Sequence, residues 1–280
     1  MSSLDRMLRL LDLFASDRPH WTVEQAIART GYSRSTIYRY FKSLAAAGLV
    51  ASGPDGAYTL GPAVIGLDRL IRQHDPLLAA ARPHLTELAR QVGVVAVVEP
   101  FRDRVVVTHV ETLPGTAIPP DLLRGLSTGL LDCAAARMLL AHDSLRRLRR
   151  FHDVAGHAIA KAGLGENWSA FRHALRVQRR VGFTVHAGAG ALGALRVAAP
   201  VFGPAEQVVA AIAAPADDAD TARVGELLLR VARRVSAALA DQAEAPFRSS
   251  PGNGHEAIWR PSAPRTNGAA VITADRGSAA

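Results

Sequence analysis

The sequence predicts an α+β chain built as two domains joined by a helix. Three observations carry this. Its 280 residues are about twice a typical domain. Its first sixty residues read as helix, helix, helix and then a short β-hairpin. After a Gly-Pro hinge the pattern changes to helices mixed with long apolar strands. Hydrophobic residues make up 49% of the chain, enough for ordinary globular cores and against global disorder.

The elements follow in order. Ser3 is placed to cap a first helix with apolar positions Leu4, Met7, Leu8, Leu11 and Phe14. Asp17-Arg18-Pro19-His20 breaks it. Thr22, with Gln25 three residues on, reads as a capping box opening a short helix that Gly31 ends. Ser33 caps a third helix running to about Ala47, with Gly48 as its stop. Leu49–Ala51 and Ala57–Leu60 read as strands around the turn Gly53-Pro54-Asp55-Gly56. Three helices and a hairpin are the order of a winged helix-turn-helix.

Gly61-Pro62 marks a hinge, and a linker helix follows to about Gln73. Asp75-Pro76 opens the second domain with a helix over 76–92. Strands are expected at Val94–Pro100, Val105–Glu111, Phe183–His186, Leu192–Phe202 and Gln207–Ala214, and helices at 132–142, 144–151, 167–181 and 218–243. The expected boundaries are 1–61 for the first domain, 62–74 for the linker, 75–245 for the second domain and 246–280 for a tail. That tail is rich in Pro, Gly, Ser and Ala, and disorder is expected there.

Charge narrows the partners. The net charge is +8, and lysine occurs only at Lys42 and Lys161, so the positive charge is almost all arginine. The total is a weak guide. Residues 1–60 carry Arg6, Arg9, Arg18, Arg29, Arg34, Arg39 and Lys42 against Asp5, Asp12, Asp17, Glu24 and Asp55, an excess of only two. An argument for nucleic acid must rest on placement. The single cysteine, Cys133, makes no internal disulfide and fits a reducing, cytoplasmic setting. The amphipathic N-terminus is unlike a signal peptide, and no long uncharged apolar run suggests a membrane span.

Placement points to DNA. In the third helix Ile37, Phe41 and Leu44 form a stripe to bury. Arg34, Ser35, Tyr38, Arg39 and Lys42 then fall on the other side, with Ser33 and Thr36 at the helix start. Such a helix suits the major groove. Arg34 and Arg39 are the expected base readers, since a guanidinium can address guanine O6 and N7 together. Lys42, the hydroxyls and the helix N-terminus suit phosphates. The plain alternative is a solvated polar helix face.

Ser33-Arg34-Ser35-Thr36-Ile37-Tyr38-Arg39, Leu44, Gly48-Leu49-Val50 and Tyr58-Thr59-Leu60-Gly61 resemble the recognition helix and wing of the isocitrate lyase regulator (IclR) family of bacterial transcription factors. Leu131–Ala141, Arg180-Val181-Gly182-Phe183 and Ala198-Ala199-Pro200-Val201 resemble its later landmarks, so the likeness covers about residues 3–245. Cys133 and Arg137 resemble the branch that controls aromatic-acid catabolism. The resemblance implies a GAF-like effector domain with a mixed sheet flanked by helices. It also implies a homodimer or dimer of dimers, a pseudo-palindromic operator, no catalysis and no obligatory cofactor. Two departures stand out. The stretch Thr184–Gly190 lacks the carboxylates usual after the Gly-Phe landmark, and the wing lacks a basic tip. The first suggests an effector pocket short of a polar anchor.

The effector-pocket candidates are Asp132, Cys133, His186 and Arg196, with a small organic acid as the expected ligand. Arg196 could hold a carboxylate in its fork or point outward as a surface charge. Cys133 is more often a small buried hydrophobe, His186 a solvated loop residue, and Asp132 a helix cap. Two rivals remain open. Cys133, His186 and Asp132 could be cast as nucleophile, base and orienting acid of an enzyme, which nothing in their spacing supports. Alternatively the second domain only dimerises.

Overall fold

The computed structural model describes residues 2–15, 17–188 and 195–244. The expected tail at 246–280 and the start of the expected strand at 192–194 lie outside them. Met1–Glu244 form one compact unit.

It begins with helix α1 (Ser3–Leu8), a 3-10 turn (Arg9–Leu13), α2 (Val23–Thr30), α3 (Arg34–Ala46) and a hairpin of β1 (Val50–Ser52) and β2 (Tyr58–Leu60). The cap of α1 is Ser2 and not Ser3. The Ser2 hydroxyl accepts the Asp5 amide, and the Asp5 carboxylate accepts the Ser2 amide at 2.8 Å. The Ser3 hydroxyl instead meets the Tyr40 hydroxyl at 2.9 Å and ties α1 to α3. β1 starts at Val50 rather than Leu49 because the Leu49 amide still closes the end of α3 by bonding the Leu44 carbonyl. Leu10, Trp21, Ala26, Ile37, Tyr40, Phe41, Leu44 and Val50 make the core of this part.

Helix α4 (Pro62–His74) leads to α5 (Pro76–Val92), with Asp75 between them capping α5 through its carboxylate. Then come β3 (Val94–Phe101), β4 (Arg104–Thr112), a 3-10 turn (Pro120–Leu122), β5 (Ser127–Gly129), α6 (Ala134–Ala141), α7 (Leu145–Lys161), α8 (Trp168–Val181), β6 (Thr184–Ala187), β7 (Leu195–Phe202), β8 (Val208–Ala216) and α9 (Thr221–Glu244). Among the described residues six strands form one sheet in the order β5-β4-β3-β8-β7-β6. The expectation of a mixed sheet is corrected here, since every pairing among the described residues is antiparallel. The helical connection from β5 to β6 spans the sheet from edge to edge, so it sets no parallel pair side by side.

The sheet is covered on both faces, which explains its near-continuous apolar strands. Val95 and Val97 of β3 face α5 and α9, together with Val197, Ala199 and Ile212. Val94, Ala96 and Val98 face α6, together with Ala198, Ala211 and Ala213. A further cluster packs α7 and α8 around Leu148, Ile159, Phe171 and Leu175. Helix α7 runs ten residues past its expected end at 151, bending at Ala155, where the backbone leaves helical geometry.

His142 closes α6 with its ring edge-on to Phe202, centroids 5.2 Å apart. Burial, with Arg179 adding to it, pushes its pKa down to about 4. Because the folded value lies below the unfolded 6.5, the unfolded chain takes up the proton first. Stability is therefore full above pH 6.5 and falls as pH drops toward 4. The urea midpoint should decrease from pH 7 to pH 5, and His142→Gln should flatten that slope. An identical slope in wild type and variant would contradict this assignment.

Candidate nucleic-acid interface and sensing pocket

Local chemistry builds the helix-turn-helix. The Thr22–Gln25 box opens α2, and Gly31 leaves it in the left-handed region at φ 72°. Ser33 then caps α3, its hydroxyl accepting the Thr36 amide and donating to the Thr36 hydroxyl at 2.9 Å. Ile37, Tyr40, Phe41 and Leu44 are buried. Phe41 is wholly enclosed and stacks on Tyr58 of β2, ring centroids 4.2 Å apart. Tyr58 also exchanges two backbone hydrogen bonds with Trp21, so the segment before α2 pairs with the wing. A side chain at Gly61 would collide with the Gly48 carbonyl, which seats the wing's exit against the end of α3.

This packing turns Arg34, Ser35, Tyr38, Arg39 and Lys42 outward in one stripe, with Ser33 exposed and Thr36 half-buried at its head. Arg34 meets Glu24 at 2.7 Å while its side chain stays 73% exposed. An exposed pair of this kind, screened by solvent, orients the arginine without sequestering it. The Arg39 guanidinium lies 5.6 Å from the Tyr40 ring centre. Thr22, Glu24, Arg34, Tyr38, Asp55 and Gly56 line a groove between α3 and the wing tip. The tip contributes Asp55 there and no base.

The sheet face under α6 holds a second site. Cys133 and Arg196 line one small cavity with Asp121, Leu122, Leu126 and Thr128, enclosing about 20 Å³. That is room for one water. Arg196 is 5% exposed, which settles its orientation inward. Its Nη2 meets the Asp121 carboxylate at 2.7 Å and its Nη1 donates to the Leu195 carbonyl. Its Nε is buried with no hydrogen-bond partner among the described residues. Asp121 answers the missing carboxylate of 184–190, although residues 189 and 190 are outside the described set. The polar partner comes from another loop. One clue was an Asp directly after Pro119-Pro120, but hydrophobic periodicity does not flag a three-residue turn.

His186 pairs in register with Arg196 across β6 and β7 and so shares its sheet face. It is half-buried in a strand rather than in a solvated loop. Its ring Nδ1 lies 2.6 Å from the Ala187 carbonyl, and burial lowers its pKa and favours the neutral ring. Asp132 does not line the cavity and does not cap α6. Cys133 takes that role, its Sγ accepting the Ala136 amide at 3.4 Å, while the Asp132 carboxylate lies against Gly129. Burial pushes the Cys133 thiol up, the opposite of the shift that activates a nucleophile. Thr184, also unforeseen, is buried and donates to the Ala134 carbonyl at 2.7 Å, fixing β6 to the start of α6.

Comparison with known proteins agrees with this geometry. Residues 3–54 match the family model described as the IclR helix-turn-helix domain, and residues 70–238 match the bacterial transcriptional regulator IclR C-terminal domain. The HTH-type transcriptional regulator XynR of Escherichia coli is 24% identical over 246 residues, 85% of this chain and 97% of that relative. KipR of Bacillus subtilis, another HTH-type transcriptional regulator, is 29% identical over 111 residues. That match spans 40% of this chain and less than half, 44%, of KipR. A solved IclR homolog from Microbacterium hydrocarbonoxydans, complexed with 4-hydroxybenzoate, superposes with a TM-score of 0.66 at 20% identity, covering 86% of this chain and all of its own. This last likeness shows the shared fold.

Proposed function

The chain belongs to the IclR family of bacterial transcriptional regulators, DNA-binding proteins with an effector-binding domain, and on that premise we propose which residues read DNA, which sense the effector and how the two communicate. The outward stripe of α3 carries the reading. Arg34 and Arg39 address base edges in the major groove, Lys42 and Tyr38 meet the backbone, and Ser33, Ser35 and Thr36 bring hydroxyls and the helix N-terminus to a phosphate. The acidic wing tip leaves little for the wing to do with phosphates. A working partner of duplex DNA sets the protein in the cytoplasm. Among the described residues no helix is long and apolar enough to cross a membrane.

Two copies are needed to read a pseudo-palindromic operator. Helix α4 supports this, because none of its residues is buried and Ile65, Leu67, Leu70 and Ile71 are all at least half exposed. A second copy, as a dimer or dimer of dimers, would cover them.

The effector reading rests on Arg196. A buried guanidinium with an unpaired Nε suits a small organic acid, and the homolog holding 4-hydroxybenzoate supports an aromatic one. Such an acid is far larger than the enclosed 20 Å³. Its entry must displace Asp121 from Arg196 and shift the 120–122 turn. Three residues on, Arg124 pairs with Asp68 of α4 at 2.5 Å and donates to the Thr108 carbonyl. Asp68 also holds Arg72 at 2.8 Å. The pocket is thus wired to the linker helix by one short segment, and a ligand that favours the displaced turn biases the position of α4.

Two measurements test these assignments. Arg39→Ala should weaken operator binding about 5- to 150-fold at fixed salt, the effect of about 1–3 kcal/mol for a lost base contact. An unchanged isotherm removes Arg39 from the interface. Arg124→Ala should still bind operator and still gain thermal stability with an aromatic acid, yet lose the acid's effect on operator affinity. A normal response in that variant would break the proposed link. The absence of any thermal shift in wild type across a series of organic acids would favour a second domain that only dimerises.

A further inference from the structure

The second domain holds a cleft much larger than the pocket around Arg196. It lies toward the other end of α6, with Val105 lining both, and measures about 700 Å³, within the range of small-molecule sites. Its floor is apolar, built from Val105, Leu139, Leu140, Leu148 and Leu175. Its walls are cationic. Arg102, Arg104, Arg147, Arg172, Arg176 and Arg179 all line it, against the single carboxylate of Asp143.

The arginines are not equivalent. Arg102 is held by Asp12 at 3.0 Å, Arg104 by the Ser127 hydroxyl and carbonyl, and Arg147 by Asp143. Arg172, Arg176 and Arg179 have no carboxylate partner among the described residues. The Arg172 guanidinium lies 5.7 Å from the Trp168 ring centre. These three recur at i, i+4 and i+7 on α8, so like charges stack along one face of one helix, an arrangement that costs stability unless an anion compensates it. His142 adds a buried ring Nε2 with no hydrogen-bond partner among the described residues.

We propose that this cleft binds a small molecule carrying a phosphate or diphosphate group. Three unneutralised guanidinium forks exceed what one carboxylate can answer, and a phosphate offers the matching charge and several oxygens for bidentate contacts. The apolar floor takes the remainder of such a molecule. The site is separate from the organic-acid pocket, and its argument does not need the DNA-reading assignment.

The test uses the full chain, freed of nucleic acid, with inorganic pyrophosphate titrated at constant ionic strength. Pyrophosphate should bind in the micromolar to millimolar range and raise the melting temperature, while matched sodium chloride does neither. The double variant Arg176→Gln/Arg179→Gln should lose at least about tenfold in pyrophosphate affinity, at a site where glutamine is a good helix former. Arg172→Gln should weaken it in the same direction, and Arg90→Gln, an exposed arginine of α5 outside both pockets, should leave it unchanged. Competition by adenosine diphosphate against glucose 6-phosphate separates a nucleotide from a sugar-phosphate source. Equal shifts with chloride, or wild-type affinity in the double variant, would overturn the proposal. So would a loss of operator affinity in the double variant, which would assign the cleft to DNA.

Discussion

The outward stripe of α3 depends on Phe41. This ring is fully enclosed and stacked flat on Tyr58, and Tyr58 is in turn bonded through its backbone to Trp21. One side chain therefore fixes the roll of the helix, the seat of the wing and the entry to α2. A stacked aromatic pair adds about 0.5–1.5 kcal/mol beyond the area it buries. The consequence for function is geometric. With Ile37, Phe41 and Leu44 inward, helical periodicity leaves Arg34, Ser35, Tyr38, Arg39 and Lys42 no option but the surface. The proposed reading needs this rigidity, because bidentate contacts to a base edge tolerate little rotation.

The second domain works under a different constraint, a buried charge that must be answered. Removing one partner of a buried ion pair costs about 3–5 kcal/mol, so Arg196 without Asp121 demands another anion. That requirement couples chemistry to motion. On the proposed reading an acid that takes over the guanidinium would release the 120–122 turn, and the same stretch of chain holds α4 through Arg124 and Asp68. Helix α6 contributes in another way. Its first turn walls the Arg196 cavity and its last turn walls the arginine cleft, so a single short rigid element borders both.

Much of this was legible in the sequence where local physics decides. The capping box at Thr22, the glycine exit at Gly31, the Ser33 cap and the full extent of α5 all follow from residue type and spacing, and each is found. So is the inward and outward division of α3. What the sequence hid depends on distant contacts. Alternation could not orient Arg196, because its partner lies 75 residues away in a turn too short to show a period. Asp132 looked like the cap of α6, yet Cys133 takes that place while the Asp132 carboxylate packs on Gly129. The antiparallel pairing of β6 was equally hidden, because edge-to-edge connections leave no mark in a hydrophobic pattern. The arginines of α8 carried no signal of their own in the sequence; the fold sets them around one cleft.

The central claim is that the cationic side of α3 lies in a major groove. Its most direct test is methylation interference on a duplex recovered by selection from random sequence. Guanine N7 faces the major groove alone, so the account requires that methylating it blocks binding in two windows about one helical turn apart. Binding that is indifferent to N7 methylation throughout the selected site would contradict it.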